Sequence, residues 1–121
     1  METIFEKPLD KQVAENTDHI ATKEVTGITF ESGKTPSSYK IKRSADIVSF
    51  MCYWSALEKT TSWVIIGSVP SGLRPPVDIY CVDNTNPSYG GLFYISATGN
   101  IGVRANSALN NGSSFVVSYC L

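Results

Sequence analysis

From Ser44 onward the chain reads as strand after strand. Val48, Phe50, Cys52, Trp54 and Ala56 alternate with Ser49, Met51, Tyr53 and Ser55. A period of two places one set on each face of a strand, so the pattern predicts a strand over 48–56 and a connecting turn over 57–61. The β-branched run Val64-Ile65-Ile66 marks a second strand, 62–69, apolar on both faces. Further strands are predicted over 77–82, 92–96, 101–105 and 115–121. Between them lie a polar loop over 83–91 and a tight turn over 97–100. A second loop, 106–112, ends in Asn111-Gly112, a favoured turn dipeptide. Six short strands at regular spacing predict an all-β fold, an antiparallel β-sandwich or barrel. The absence of intervening helical periods excludes a parallel α/β sheet.

Residues 1–44 differ in pattern. They hold Asp10, Lys11, Glu15, Asp18, His19, Lys23, Glu24, Glu31, Lys34, Lys40, Lys42 and Arg43, with few large apolar residues. Leu9, Val13 and Ile20 fall on one face of a short helix, and 25–30 and 39–42 read as strands. Gly33-Lys34-Thr35-Pro36 reads as a turn between them. The shift in composition predicts an anchor or docking segment over 1–44 and a β head domain over 45–121. Gly33-Lys34-Thr35 is not a phosphate loop: Ile28 stands where the upstream glycine belongs, and Pro36 opposes the helix that must follow.

The strand at 62–69 runs into Pro70-Ser71-Gly72-Leu73-Arg74-Pro75. Proline has no backbone N–H and a fixed φ, so a ladder cannot continue through either end of this segment. Gly72 is expected to supply a positive φ between them. Arg74 is expected to fix the corner through a charge-assisted hydrogen bond.

Composition narrows the function classes. The chain has 121 residues, with Lys+Arg 10 and Asp+Glu 11, a formal net charge of −1. That length suits one domain with an appendage, and that balance argues against nucleic acid as a partner. No apolar run approaches the roughly 20 residues of a membrane-spanning helix, so no membrane insertion is expected. Residues 1–10 lack the apolar core of a secretory signal, so synthesis in a cytosol is expected. Cys52, Cys81 and Cys120 are an odd number without a Cys-x-x-Cys pair, so neither a disulfide framework nor a zinc cluster is expected. Each lies in an apolar run and is read as a small buried hydrophobe. Neither a metal nor another cofactor is expected. Nor is catalysis: Asp46, Glu58, Asp78 and Asp83 are the acids of the β-rich part, and nothing in their spacing pairs two of them as a glycosidase requires. The lone His19 sits far along the chain from any cysteine or serine partner.

Residues 46–121 resemble the head domain of phage receptor-binding proteins, the tail-tip and baseplate adhesins of long-tailed phages that infect Gram-positive bacteria. The resemblance rests on Trp63 and Gly67 in a strand, the corner Pro70-Ser71-Gly72-Leu73-Arg74-Pro75, and Tyr80. It continues in Tyr94-Ile95-Ser96, Gly99-Asn100-Ile101-Gly102-Val103 and the terminal Val116-Val117-Ser118-Tyr119. Leu73 stands where that family often has an aromatic residue. The resemblance implies a homotrimeric head on the virion that binds a host-surface saccharide, with residues 1–44 attaching it to other virion proteins. A capsid decoration or head fibre without specific glycan binding is the alternative, and a small glycan-modifying enzyme a more distant one.

Glycan recognition needs flat aromatic faces for sugar C–H groups and planar polar groups for hydroxyls. The two polar loops offer Asp83, Asn84, Asn86 and Tyr89, and Asn106, Asn110 and Asn111. The same residue types also build ordinary turns. Trp54 and Trp63, in apolar strands, are read as core. Tyr53 and Tyr94, on the less apolar side of their strands, are candidates for a subunit interface or ligand surface.

Overall fold

The computed structural model describes residues 23–121. The helix expected around Leu9, Val13 and Ile20 lies outside the described residues, as does His19. Among the described residues nine strands form two antiparallel sheets. The first contains β1 (Lys23–Glu24), β3 (Ser38–Ser44), β4 (Ile47–Lys59) and β9 (Leu109–Cys120), in the order β1-β3-β4-β9. The second contains β2 (Thr29–Phe30), β5 (Val64–Ser68), β6 (Ile79–Val82), β7 (Leu92–Ile95) and β8 (Asn100–Arg104), in the order β2-β5-β8-β7-β6. The all-β, antiparallel expectation holds.

The period-two pattern decides which side chains enter the core. Val48, Phe50, Cys52 and Trp54 of β4 and Phe115 and Tyr119 of β9 are buried together with Ile66, Phe93, Ile95, Ile101 and Val103 of the second sheet. The two sheets therefore share one core. Its centre is aromatic: Trp54 stacks on Phe93 with centroids 5.3 Å apart, and Phe93 lies 4.6 Å from Phe115. The indole N–H of Trp54 donates to the Lys34 carbonyl at 2.8 Å, so the large apolar ring is buried without leaving a polar atom unsatisfied. Truncating such a ring costs about 3–5 kcal/mol.

Several expectations are corrected. The strand predicted over 48–56 runs on to Lys59, and the turn expected over 57–61 begins only at Thr60. The register between β4 and β9 shifts between Trp54 and Leu57. A bulge inserts an extra residue and so exchanges the two faces: Ser55 and Ala56 are both exposed, whereas Leu57 and Lys59 turn inward. Ala56, expected inside, is therefore outside. The longer β4 supplies pairing partners beyond the bulge, so the final strand starts at Leu109 rather than 115. Asn111 pairs with Leu57 and Asn110 with Glu58, and Asn111-Gly112 is strand, not turn.

The boundary expected at residue 44 falls inside a sheet. β3 pairs with β4 from Ser38↔Tyr53 to Ser44↔Ile47, and β2 pairs with β5 through Phe30↔Gly67. The described part of the 1–44 segment thus belongs to the fold. The turn expected at Gly33 is present, with Lys34 N–H donating to the Glu31 carbonyl at 2.9 Å.

The corner is a single 3-10 turn, Ser71–Leu73, closed by Leu73 N–H on the Pro70 carbonyl at 3.0 Å. Gly72 is absent from the positive-φ positions and its missing Cβ faces open space, so the left-handed role expected of it is not used. Arg74 Nε donates to the Val69 carbonyl at 2.9 Å, the tie expected of it. Val69 N–H in turn donates to Gly99 at 2.7 Å. Gly99, at φ 93°, turns the β7–β8 hairpin directly beneath Arg74, where a Cβ would strike the guanidinium and come within 2.6 Å of the Val69 carbonyl. The corner and the hairpin tip are thereby locked together.

Of the three cysteines, Cys52 is buried, Cys81 half-buried and Cys120 exposed. The expected burial holds for Cys52. It fails for Cys120, the last residue of β9, whose side chain falls on the outward side of the strand.

Candidate functional site

The outward positions of the second sheet carry a cluster of aromatic rings. In strand register, Tyr80 of β6 lies beside Tyr94 of β7, Tyr94 beside Gly102 of β8, and Gly102 beside Ile65 of β5. Because side chains alternate across a strand, this row points away from the core that Phe93, Ile95, Ile101 and Val103 fill. Trp63, immediately before β5, completes it. Its ring meets Tyr94 edge-on, with centroids 4.8 Å apart and planes at 84°. Tyr80 lies 6.0 Å from Trp63 and 6.1 Å from Tyr94. Trp63 is 38% exposed and Tyr80 60%.

Two neighbours shape the cluster. Gly102 has no side chain where the Tyr94 ring lies, and any Cβ there would collide with that ring. The missing methyl is what lets Tyr94 lie flat across β8 towards Trp63. Arg104, two residues on, brings its guanidinium carbon to 5.6 Å from the Trp63 ring centroid, within cation–π range. Its Nε is buried and has no hydrogen-bond partner among the described residues. Burial pushes the Tyr94 hydroxyl above its ordinary pKa, with smaller contributions from the charge of Asp78 and from Tyr80. One oxygen of Asp78 accepts from the Ala97 N–H at 2.8 Å. The face thus presents apolar ring surface, two phenol hydroxyls and one cation.

The loop residues expected to bind a ligand divide into two groups. Asp83 is 1% exposed. Its Oδ1 accepts from the N–H groups of Thr85 at 3.0 Å, Asn86 at 3.3 Å and Ser114 at 3.2 Å, so it braces the loop against β9. Asn86 donates its amide to the Gly112 carbonyl at 2.6 Å. These two side chains hold the fold rather than face solvent. Asn84, Tyr89, Asn106 and Asn110 are exposed. Asn106 N–H donates to the Tyr89 carbonyl at 3.1 Å, and its side chain occupies the space above Gly90, so 89, 90 and 106 come together. Asn110 sits opposite Glu58 in the β4–β9 ladder. Asn111 serves another purpose: its Oδ1 accepts from Lys59 Nζ at 2.7 Å, and its carbonyl accepts at 3.2 Å. Lys59 also donates to Ser113 Oγ. Burial lowers the Lys59 pKa, while the Asp83 charge acts in the opposite direction.

Trp63 was expected in the core because it adjoins an apolar run, and the structure corrects that placement. Tyr94 lies on an outward face, as its strand position indicated. The signal for the platform was present in Gly102, a glycine between Ile101 and Val103. Such a glycine inside a strand marks a close approach by another group, here the Tyr94 ring.

A groove of about 520 Å3 lies on the outward face of the other sheet. Tyr53, Met51 and Val116 line it together with Ser38, Lys40 and Lys42. Tyr53 and Val116 are 43% and 56% exposed. Its polar groups are lysines, serines and the phenol hydroxyls of Tyr39 and Tyr53, beside apolar surface. The aromatic face adds a guanidinium held against an indole ring.

Comparison of the chain with protein-family models, with characterised proteins and with solved structures finds no match.

Proposed function

We propose that the protein is a phage virion adhesin, a homotrimeric β-sandwich head that binds a host-surface saccharide on the platform of Trp63, Tyr80, Tyr94 and Arg104. The observation that carries this reading is a cluster of three mutually contacting aromatic rings on one outward sheet face, with Trp63 and Tyr80 exposed and Tyr94 half-buried between them. Clustered apolar surface left open to water marks an interaction site. The C–H face of a pyranose ring fits flat aromatic surface, and hydroxyl groups fit phenol and guanidinium donors. The sequence resemblance supports the setting, in which the segment ahead of the described head leads to other virion proteins. The apolar outward face around Met51, Tyr53 and Val116 supports association between copies. Three platforms in one trimer raise a weak single-site affinity through avidity.

Glycan-array binding tests this reading. Trp63→Ala is expected to weaken binding by about tenfold or more, because it removes both ring surface and the cation–π partner of Arg104. Asn106→Ala, at the loop cluster, is expected to leave binding within about twofold of wild type. Loss of binding in Asn106→Ala with full binding in Trp63→Ala contradicts the assignment.

The groove on the first sheet favours a second reading, a capsid decoration or head fibre whose role is assembly. That reading predicts no saccharide affinity even at millimolar ligand.

A further inference from the structure

Arg104 carries a charge that no ion pair among the described residues neutralises. Among the described residues the ion pairs are Lys34 with Glu58 at 3.8 Å and Arg43 with Asp46 at 4.0 Å, and neither reaches the aromatic platform. Among the described residues no carboxylate lies within ion-pair distance of Arg104. Asp78, whose charge is felt at Tyr94, has one oxygen engaged by the Ala97 N–H. The Arg104 side chain is half-buried, its Nε is sealed without a hydrogen-bond partner among the described residues, and the Trp63 ring holds the guanidinium from one side.

Removing part of a guanidinium from water without a counter-charge is unfavourable. An unmet buried N–H adds to that cost. A planar guanidinium held against an aromatic ring is also pre-set to receive a two-oxygen anion side by side. Resting on the saccharide-binding reading above, we propose that the bound saccharide is acidic: a carboxylate or phosphate on the sugar pairs with Arg104 while the adjoining ring lies on Trp63 and Tyr80. The shared chemistry is an oxyanion one bond or so from a pyranose face. A uronic acid and a sugar phosphate both supply it.

Matched probes separate the inference from the reading beneath it. Trigalacturonate and its methyl ester share one sugar frame and differ in charge and the small ester methyls, and glucose 1-phosphate and glucose form the phosphate pair. Emission from the exposed Trp63 reports binding, since Trp54 is buried. The acidic member of at least one pair is expected to bind about tenfold or more tightly than its neutral partner, and raising salt should erode that difference. The pair that shows it identifies carboxylate or phosphate. Arg104→Gln is expected to bring acidic and neutral probes to equal affinity, the acidic probe losing more than the neutral one. Arg104→Lys keeps the charge, so it should retain part of the preference and covers the case in which Arg104→Gln fails to fold.

Equal binding of acidic and neutral probes, insensitive to salt, overturns the acidic ligand and leaves saccharide binding standing. No response to any of the four probes, together with no binder on an array of neutral and acidic glycans, overturns both.

Discussion

At the scale of single residues, the chain assigns similar groups to opposite tasks. Asp83 and Asn86 have the composition of a sugar site, but Asp83 spends one oxygen on three backbone N–H groups and Asn86 donates into β9. Sequence alone could not separate them from Asn84 or Asn106, because the Asx-type brace depends on where Ser114 lies, thirty-one residues away. Trp54 and Trp63 show the same difficulty. Both adjoin apolar runs, yet one is sealed between the sheets and the other stands outside them.

Burial of acidic protons gives this scale its pH behaviour. Burial pushes Cys52 up from 9.0 to about 12 and Cys81 from 9.0 to about 11, and Tyr119 rises from 10.0 to about 12. Tyr119 is further held by donating to the Leu73 carbonyl. In each case the unfolded chain releases the proton first, so it binds fewer protons than the native state across the interval. Stability is expected to be full below the ordinary values and to fall as pH rises from 9.0 through about 12. Lys59 acts in the opposite sense. Its folded pKa is lowered, so stability gains as pH rises from that lowered value towards about 10.4. One amine opposes two thiols and two phenols, Tyr119 and Tyr94, so a net alkaline loss is expected in urea unfolding monitored by fluorescence. Cys52→Ala should make that loss shallower, and an unchanged slope would contradict the assignment.

At the scale of elements, alternation made the strands legible and left their ends in doubt. The inward set Val48, Phe50, Cys52 and Trp54 follows directly from the period of two. The bulge between Trp54 and Leu57 does not, since nothing local announces which residue will be the extra one. That single insertion moved Ala56 out, brought Lys59 in, and carried β9 back across Asn111-Gly112. The platform was legible only in pieces. Tyr94 could be placed on an outward face, and Gly102 hinted at a close approach, but their meeting with Trp63 depends on the β5–β8–β7 register.

The corner was more legible, because prolines and a lone arginine limit what a chain can do. Arg74 joins it to the hairpin tip through Val69 and Gly99. Arg74→Ala should therefore lower stability by roughly 1–3 kcal/mol, a fall in Tm of several degrees, while saccharide binding at 25 °C persists. A variant of full thermal stability that has lost binding would move Arg74 from architecture to ligand recognition.

At the scale of the whole molecule, the two outward sheet faces have different characters. One carries an apolar groove flanked by Lys40 and Lys42, the other an aromatic platform capped by Arg104. The proposal gives assembly to the first and recognition to the second. Light scattering of the full chain should then return a mass near three times 13.2 kDa, and a clean monomer would contradict the trimer. Composition suggested a division at residue 44, but polar strands look like a tail when read alone. β3 is one of these: Ser38, Lys40 and Arg43 are solvent-facing, yet the strand pairs with β4 along its full length.

The recognition face is tested most directly by mapping backbone amide shifts of the 15N-labelled protein on titration with a saccharide that binds it. The account predicts the largest changes at Trp63, Tyr80, Tyr94 and Arg104, with the Trp63 indole N–H moving and that of Trp54 still. Changes centred on Asn84, Tyr89 and Asn106, with the platform silent, would contradict it.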